Sequence, residues 1–153
     1  MRRIITNCID LERKAHGFRL LGYVVMPEHI HLVLVPRLET QVGRLIGNIK
    51  RESSQQIHEL LKKHDSFLIK KFRIKRDGLM RFALWQRRCF DHNCRTDEAV
   101  VGRVLYCHEN PVKRGLVHTP DDWRWSSYRW YRGQRDVPLI MDVNLDGQGA
   151  GND

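Results

Sequence analysis

Apolar residues repeat along this chain at two different spacings, and these spacings predict the order of helices and strands. Within residues 2–16 they recur every three or four positions, which predicts a helix that Gly17 can end. Residues 18–26 and 29–35 are short runs rich in Val, Leu and Tyr, which is typical of strands. Because a short Pro-Glu turn joins the two runs, the pattern predicts that they pair antiparallel.

Helical spacing returns in the middle of the chain and continues to about His64, with Thr40 expected to cap the start of this helix. Residues 70–81 are the most basic stretch of the chain. They fit either a loop or a hairpin that turns at Asp77-Gly78. The middle of the chain is therefore predicted to be a long amphipathic helix followed by a positively charged connection.

The later part of the chain has one more predicted strand and one more predicted helix. Residues 82–90 form the candidate strand, since apolar and aromatic residues are frequent there. A helix is expected to open at Thr96 or Asp97 and to run to about Asn110, because Pro111 disfavours continuation. With the earlier elements, this order predicts an α+β protein.

Length and composition predict one globular domain. The chain has 153 residues, of which 41% are hydrophobic, and this is enough for a core. We expect a single domain over residues 1–141 and a disordered tail over 142–153, where apolar residues are scarce. No apolar run approaches the ~20 residues of a membrane span, and the N-terminus lacks the apolar core of a signal peptide. These features predict a cytoplasmic protein with no membrane partner.

The chain is strongly basic, with a net charge of +9. All 27 Lys and Arg residues lie within residues 1–135, whereas three of the 18 acidic residues lie from Asp142 onward. Such a surface favours a polyanionic partner, because binding releases counterions from the polyanion. The alternative is that the charge only keeps the protein in solution. We consider nucleic acid the better explanation.

Two segments carry the candidate nucleic-acid contacts. The basic stretch is either an edge that follows a phosphate backbone or a solvated loop, and the residues alone favour neither. Near residues 123–132, Arg residues alternate with Trp and Tyr, a pattern that suits stacking on unpaired bases but also suits packing on a sheet. Together with Arg103 of the last predicted helix, the candidate contacts are Lys70, Lys71, Arg73, Lys75, Arg76, Arg124 and Arg129.

Two histidines in the second predicted strand are candidate metal ligands. His29 and His31 are two residues apart, so on a strand they point to the same face, while Ile30 points to the other. Two imidazoles on one face can hold one metal ion. A His-x-His pair is a weak signal by itself, since both residues are often ordinary polar positions on a solvated face.

The last predicted helix supplies a phenol and an amide. Tyr106 and Asn110 are four residues apart and therefore lie on the same side of the helix. If this helix crosses the histidine strand, the Asn110 oxygen becomes a third ligand, and the site suits Mg²⁺ or Mn²⁺ once a phosphate completes it. The Tyr106 hydroxyl could then attack phosphorus, helped by a cation such as Arg103, because a free phenol has a pKa of ~10. Otherwise Tyr106 is a half-buried aromatic residue of an amphipathic helix.

Four motifs together resemble a known family. They occur in order from about Phe18 to Tyr131 and read MPEHIHLVLVP, FALWQRRCFDHNCRTDE, YCHENPVKRGLV and PDDWRWSSYRWY. The combination is similar to the REP-associated tyrosine transposases. These belong to the IS200-like superfamily of HUH single-strand transposases, which bacterial insertion sequences encode.

The resemblance implies a fold, an activity and a site. It implies a ferredoxin-like antiparallel sheet with helices on one face. His29 and His31 match the HUH metal ligands, Asn110 the third ligand and Tyr106 the nucleophile. Members of the family cut and rejoin single-stranded DNA beside imperfect palindromic hairpins through a 5′-phosphotyrosine. They act as monomers or homodimers, and their setting is the bacterial nucleoid.

The chain departs from the family pattern at its N-terminus. The family has a strand before its first helix, whereas here only about 17 residues precede Phe18, and they are predicted to be helical. The expected fold is therefore ferredoxin-like with the first strand missing from this chain. If that strand is central, its absence leaves backbone groups of the histidine strand unpaired.

Three hypotheses for function remain open at this point. The first is a metal-dependent transposase that nicks and rejoins single-stranded DNA. The second is a catalytically inactive protein that binds single-stranded DNA hairpins, which the missing strand would favour. The third is an RNA-binding protein of similar topology, which would need exposed aromatic residues on the central strands. We rank the RNA hypothesis last, because histidines occupy that face instead.

Overall fold

The computed structural model describes residues 1–64, 67–86, 89 and 91–143. The chain is of the α+β class, as predicted. Among the described residues, the first element is a helix. The elements in chain order are α1 (Arg2–His16), β1 (Arg19–Val25), β2 (Ile30–Val35), α2 (Val42–Lys63), a 3₁₀ helix (Phe67–Phe72), β3 (Arg73–Arg76), β4 (Leu79–Phe82), α3 (Asp97–Lys113), a second 3₁₀ helix (Pro120–Asp122) and α4 (Tyr128–Tyr131).

The chain divides into two compact units. The first unit comprises Met1–His16 and Glu39–Asn93, and the second comprises Gly17–Leu38 and Cys94–Asp153. The predicted single domain and the predicted tail stay predictions, since residues 144–153 lie outside the described part. In that part, no helix is both long and apolar enough to cross a membrane.

Two contacting helices, α1 and α2, make up most of the first unit. Their buried residues recur at helical spacing, as Ile9 on α1 and Leu45 and Ile49 on α2 illustrate. The residue before α2 is Gln41, and its side chain makes no capping hydrogen bond. The prediction that Thr40 caps this helix is therefore wrong. Packing of its long apolar face stabilises α2 without a side-chain cap.

The basic stretch of the first unit contains a β-hairpin, which settles the choice between a hairpin and a loop. Strands β3 and β4 pair antiparallel and are joined at Asp77 and Gly78, whose φ angles are 52° and 79°. Left-handed conformations at both central residues are typical of a tight hairpin turn, and Asp-Gly is among the residue pairs that adopt them. Phe82, at the end of β4, stacks on His58 of α2 with ring centroids 4.3 Å apart.

Strand β1 is the centre of the second unit. It pairs antiparallel with β2 on one edge. On its other edge, the Val25 amide donates to the Trp125 carbonyl at 2.8 Å, and the Ser127 amide donates to the Tyr23 carbonyl at 3.0 Å. Every residue of the strand after Arg19 is buried. The C-terminal segment therefore provides hydrogen-bond partners that a third strand would otherwise supply.

Helix α3 contacts both β1 and β2, and it meets β1 at a glycine. A Cβ atom at Gly22 would lie 2.9 Å from Val104 Cγ2, so only glycine permits this approach. The helix begins as predicted, because the Thr96 hydroxyl accepts the Ala99 amide at 3.2 Å. These contacts place the face of α3 that bears Tyr106 beside the histidine strand.

The predicted end of this helix is wrong. Helix α3 passes through Pro111 and ends at Lys113. Proline removes one N–H and its ring crowds the carbonyl of Cys107 four residues earlier. Here the proline lies in the last turn and its ring is buried, so the lost hydrogen bond affects only the helix end. Asn110 consequently stays within regular helix.

The strand predicted over residues 82–90 is also wrong. Strand β4 ends at the first of these residues. Trp85 lies outside any strand and donates its indole N–H to Ser53 Oγ on α2 at 3.0 Å. This tertiary hydrogen bond satisfies the indole and outweighs the strand propensity of the segment. Residues 87, 88 and 90 of the predicted strand lie outside the described residues.

The contact between α3 and β1 predicts opposite effects for two glycine substitutions. Gly22→Ala should lower the free energy of unfolding by about 1–3 kcal/mol, because Val104 must move away. Gly102→Ala on α3 meets no atom within 4 Å and should raise it by up to about 1 kcal/mol through helix propensity. Urea unfolding of both variants measures the difference. Unchanged stability in Gly22→Ala would show that the close approach is not required.

Candidate active site

Strand β2 and helix α3 bring four of the predicted site residues together. The rings of His29 and His31 are 4.7 Å apart between centroids, and those of His31 and Tyr106 are 5.2 Å apart, both in edge-to-face geometry. Asn110 Nδ2 lies 3.3 Å from His31 Nε2. The two imidazoles, the amide and the phenol therefore form one cluster, which we term the site cluster.

Local geometry explains each pair, and packing joins the pairs. His29 precedes β2 and His31 is its second residue, so the alternation of a strand directs both rings to one side. Tyr106 and Asn110 are one turn apart on α3, so they lie one above the other. Because α3 contacts β2, the amide reaches His31 directly.

Burial differs across the site cluster. Asn110 is buried and His31 is partly buried, whereas Tyr106 is 41% exposed. Burial, followed by the positive charges of His29 and Arg103, lowers the pKa of His31 to about 4. His31 is therefore neutral at pH 7, and one ring nitrogen keeps a lone pair for a ligand. The phenol faces solvent, where a large substrate can reach it.

The donor set of the site cluster fits a divalent cation. Two imidazoles and one amide add no negative charge and leave coordination positions for phosphate and water oxygens. Rotating the Asn110 amide turns its oxygen toward His31, since the nitrogen and oxygen positions are assigned from hydrogen bonding. Among the described residues, no group of three His, Cys, Asp or Glu side chains could hold a metal, and the side-chain amide of Asn110 lies beside His31.

Charged residues that the sequence reasoning missed lie around the phenol and His29. The ammonium of Lys113 is 5.9 Å from the centroid of the Tyr106 ring and pairs with Glu109 at 2.6 Å. The Glu28 carboxylate is 3.7 Å from His29 Nδ1. The spacing of two helical turns between Tyr106 and Lys113 is the signal that could have identified the lysine.

A buried polar network anchors α3 to β1 beside the site cluster. His108 Nε2 is 2.9 Å from Ser127 Oγ, and the same hydroxyl accepts the Tyr23 amide at 3.1 Å. The Tyr128 and Tyr131 rings approach the His108 ring edge-on, each at 5.4 Å between centroids. Burial lowers the pKa of His108 to about 4, so the imidazole is neutral and can share one proton with the hydroxyl.

The predicted nucleic-acid contacts are distributed over both units. Lys70, Lys71, Arg73, Lys75 and Arg76 belong to the first unit, in the 3₁₀ helix and β3. Arg103, Arg124 and Arg129 belong to the second unit.

Arg103 of the second unit is exposed on α3. The guanidinium of Arg124 is 3.2 Å from Asp136, and Arg129 donates to the Asp121 carbonyl at 2.8 Å. Two of the predicted DNA contacts therefore already have internal partners. Their predicted role in DNA binding stays a prediction.

A structure described as a REP-associated tyrosine transposase bound to a REP hairpin aligns over 98% of this chain and 78% of its own, with a TM-score of 0.64 and 21% identity. The α+β fold is therefore the one found in that class of transposase. The family model "Transposase IS200 like" matches residues 2–98, and the chain belongs to this family.

Two curated relatives are REP-associated tyrosine transposases by name. The protein from Haemophilus influenzae is 27% identical over 114 residues, which are 74% of this chain and 60% of the relative. The protein from Escherichia coli K12 is 23% identical over 127 residues, which are 82% of this chain and 64% of the relative. The chain thus spans less than two thirds of the length of either relative. The resemblance inferred from the four motifs is confirmed.

The polar network predicts different effects for two tyrosines that flank His108. Tyr131→Phe should lower the free energy of unfolding by about 0.5–1.5 kcal/mol, because its hydroxyl donates to the Leu21 carbonyl at 2.6 Å. Tyr128→Phe is the matched control, since its hydroxyl makes no hydrogen bond among the described residues, and should change stability by less than about 0.5 kcal/mol. Thermal and urea unfolding measure both. Equal effects would contradict a role of the Tyr131 hydroxyl in joining the segments.

Proposed function

We propose that this protein is a metal-dependent HUH transposase that nicks and rejoins single-stranded DNA near palindromic hairpins. The observation that carries the proposal is the site cluster, in which the Tyr106 ring lies 5.2 Å from that of a metal-competent histidine, His31. Family membership supports a transposase, and the donor set supports phosphodiester chemistry. The relatives and the structural neighbour are named for REP sequences, which supports a DNA hairpin as partner.

Each residue of the site cluster has a role in the proposed reaction. His29, His31 and Asn110 would hold Mg²⁺ or Mn²⁺, and the bound metal would polarise the scissile phosphate. Tyr106 Oη attacks the phosphorus atom, a bond forms between them, and the bond from phosphorus to the 3′ oxygen breaks. The phenolic proton passes to solvent and the departing 3′ oxygen takes up a proton. The products are a 5′-phosphotyrosine and a free 3′-hydroxyl.

Rejoining follows from the same chemistry in reverse. The phosphotyrosine keeps the phosphoester bond, so a second 3′-hydroxyl can attack it and release Tyr106 without a nucleotide cofactor. Lys113 and Arg103 supply positive charge on the same helix, which stabilises negative charge that develops on the transferring phosphate. The exposure of the phenol leaves room for both DNA strands.

A hairpin-binding protein that does not cut is the second candidate function. Among the described residues, β2 pairs with a strand on one edge only, which is the feature that favours it. Such a protein would bind DNA through its basic residues with steep salt dependence and would not need His29 or His31. Detection of a covalent adduct separates the two functions.

The transposase proposal predicts a covalent protein–DNA adduct. Mixing the protein with labelled single-stranded DNA that contains a palindromic hairpin and Mn²⁺ should give an adduct that survives denaturing electrophoresis. Tyr106→Phe should abolish the adduct, because the phenylalanine ring has no nucleophile. Tyr128→Phe is the control and should retain it. Failure to form an adduct with any hairpin of a broad panel would reject the cutting function.

The ligand assignment predicts a loss of metal affinity that is independent of DNA cutting. His31→Ala and Asn110→Ala should each weaken Mn²⁺ binding by about tenfold or more in calorimetric titration, because each removes a donor. His118→Ala, an exposed histidine outside the site cluster, is the control and should bind Mn²⁺ as the parent does. Equal affinity in all variants would show that the metal binds elsewhere.

A further inference from the structure

The β3–β4 hairpin of the first unit, which we term the ribbon, has two distinct faces. Directly opposite residues share a face, so the cross-strand register assigns each residue to one. Arg73 opposite Phe82 and Lys75 opposite Met80 form the face on which Phe82 stacks on His58 of α2, while Met80, nearer the turn, is 60% exposed. The other face, which we term the outer face, consists of Ile74 opposite Arg81 and Arg76 opposite Leu79.

The charge of the ribbon is not neutralised within the described residues. Arg73, Lys75, Arg76 and Arg81 all lie on two four-residue strands, and the only acid is Asp77 at the turn. None of these four cations forms an ion pair in the part of the chain that the structure describes. Surface cations without internal partners are available to an anionic partner.

Exposed aliphatic side chains accompany these cations on the outer face. Leu79 is 62% exposed and Ile74 is 38% exposed. Because each lies opposite an arginine, the face carries guanidinium and aliphatic groups together. Guanidinium groups bind phosphates and guanine edges, and aliphatic groups contact thymine methyl groups. The guanidinium groups can therefore bind the phosphates that border a DNA groove, and the aliphatic groups can contact the base edges inside it.

The two-stranded shape of the ribbon bears on whether it fits double-stranded or single-stranded DNA. The major groove of B-form DNA is ~12 Å wide and admits a two-stranded antiparallel ribbon. Single-strand binding relies on exposed aromatic platforms, and the aromatic ring of the ribbon, Phe82, is already stacked on His58. The ribbon therefore fits double-stranded DNA better than unpaired DNA.

We propose that the outer face of the ribbon binds the major groove of the duplex stem of a DNA hairpin. Arg76 and Arg81 contact phosphates or base edges, and Leu79 and Ile74 contact the groove floor. The inference rests on the proposed function in that the substrate contains such a stem. It adds Arg81 and two aliphatic residues to the DNA contacts and assigns them to the paired part of the substrate.

Binding measurements in the Tyr106→Phe protein test the inference without cutting. The probes are a DNA hairpin with a stem of about 10 base pairs, one helical turn, and an oligothymidine of equal length. The double variant Arg76→Gln/Arg81→Gln should weaken hairpin binding about tenfold or more and reduce the slope of log K against log salt by about 2. Oligothymidine binding should change less than about threefold.

A charge-matched control isolates the face from the net charge. Arg73→Gln/Lys75→Gln removes the same charge from the opposite face and should reduce hairpin affinity less than the outer-face variant does. Leu79→Ser should weaken hairpin binding and leave the salt slope unchanged, because no phosphate contact is lost. Circular dichroism and thermal unfolding confirm that each variant is folded.

Several results would overturn the inference. Three of them are binding results: equal losses of hairpin affinity in the two charge variants, a loss of affinity for oligothymidine only, or equal affinity of the parent for hairpin and oligothymidine. The fourth is a concentration-dependent dimer that the outer-face variant abolishes. The last would make the outer face a contact between two copies of the chain. Failure of the proposed function gives a different result. If the ribbon variants affect hairpin binding as expected but the protein with intact Tyr106 forms no adduct, only the cutting function is refuted.

Discussion

The packing of α3 on β1 is the contact on which the candidate site depends. It is close because Gly22 has no side chain to keep Val104 away. It is specific because a buried hydroxyl, Ser127 Oγ, binds both the Tyr23 amide and His108 of the helix. The first feature sets the distance between helix and strand, and the second opposes sliding or rotation of the helix. Tyr106 and Asn110 lie beside the histidines because α3 is held in this position.

Burial within this packing sets the chemistry of the site cluster. His31 is desolvated enough to remain neutral, and a neutral imidazole is the form that binds a metal. Tyr106, on the same helix face, is open to solvent and therefore to a nucleic-acid strand. The proposed metal donors are thus partly enclosed, and the proposed nucleophile is accessible. This difference in exposure suits a small ion and a large substrate that bind at the same place. The Lys113 ammonium, which is paired with Glu109, lies 5.9 Å from the centroid of the Tyr106 ring.

Local patterns predicted most elements, and they failed where distant contacts decided the outcome. The α1 helix and the β1–β2 pair follow from neighbouring residues and were predicted. The hairpin at Asp77-Gly78 and the cap at Thr96 were each one of two alternatives that the sequence left open. Pro111 did not end α3, because its ring is buried near the helix end. Trp85 did not extend a strand, because its indole binds Ser53 on another element. Propensity is a weak guide wherever a tertiary contact satisfies the residue differently.

By itself the sequence determined which side chains are paired: His29 with His31 by strand alternation, and Tyr106 with Asn110 by one helical turn. It also determined the basic character of the hairpin and, through four ordered motifs, the family. Only the tertiary structure decided that the two pairs meet, that His31 is neutral, that the Lys113 ammonium lies near the Tyr106 ring, and that Phe82 of the ribbon stacks on His58. The physical reason is that backbone periodicity fixes relations within one element, whereas distances and burial between elements depend on packing of residues far apart in the chain.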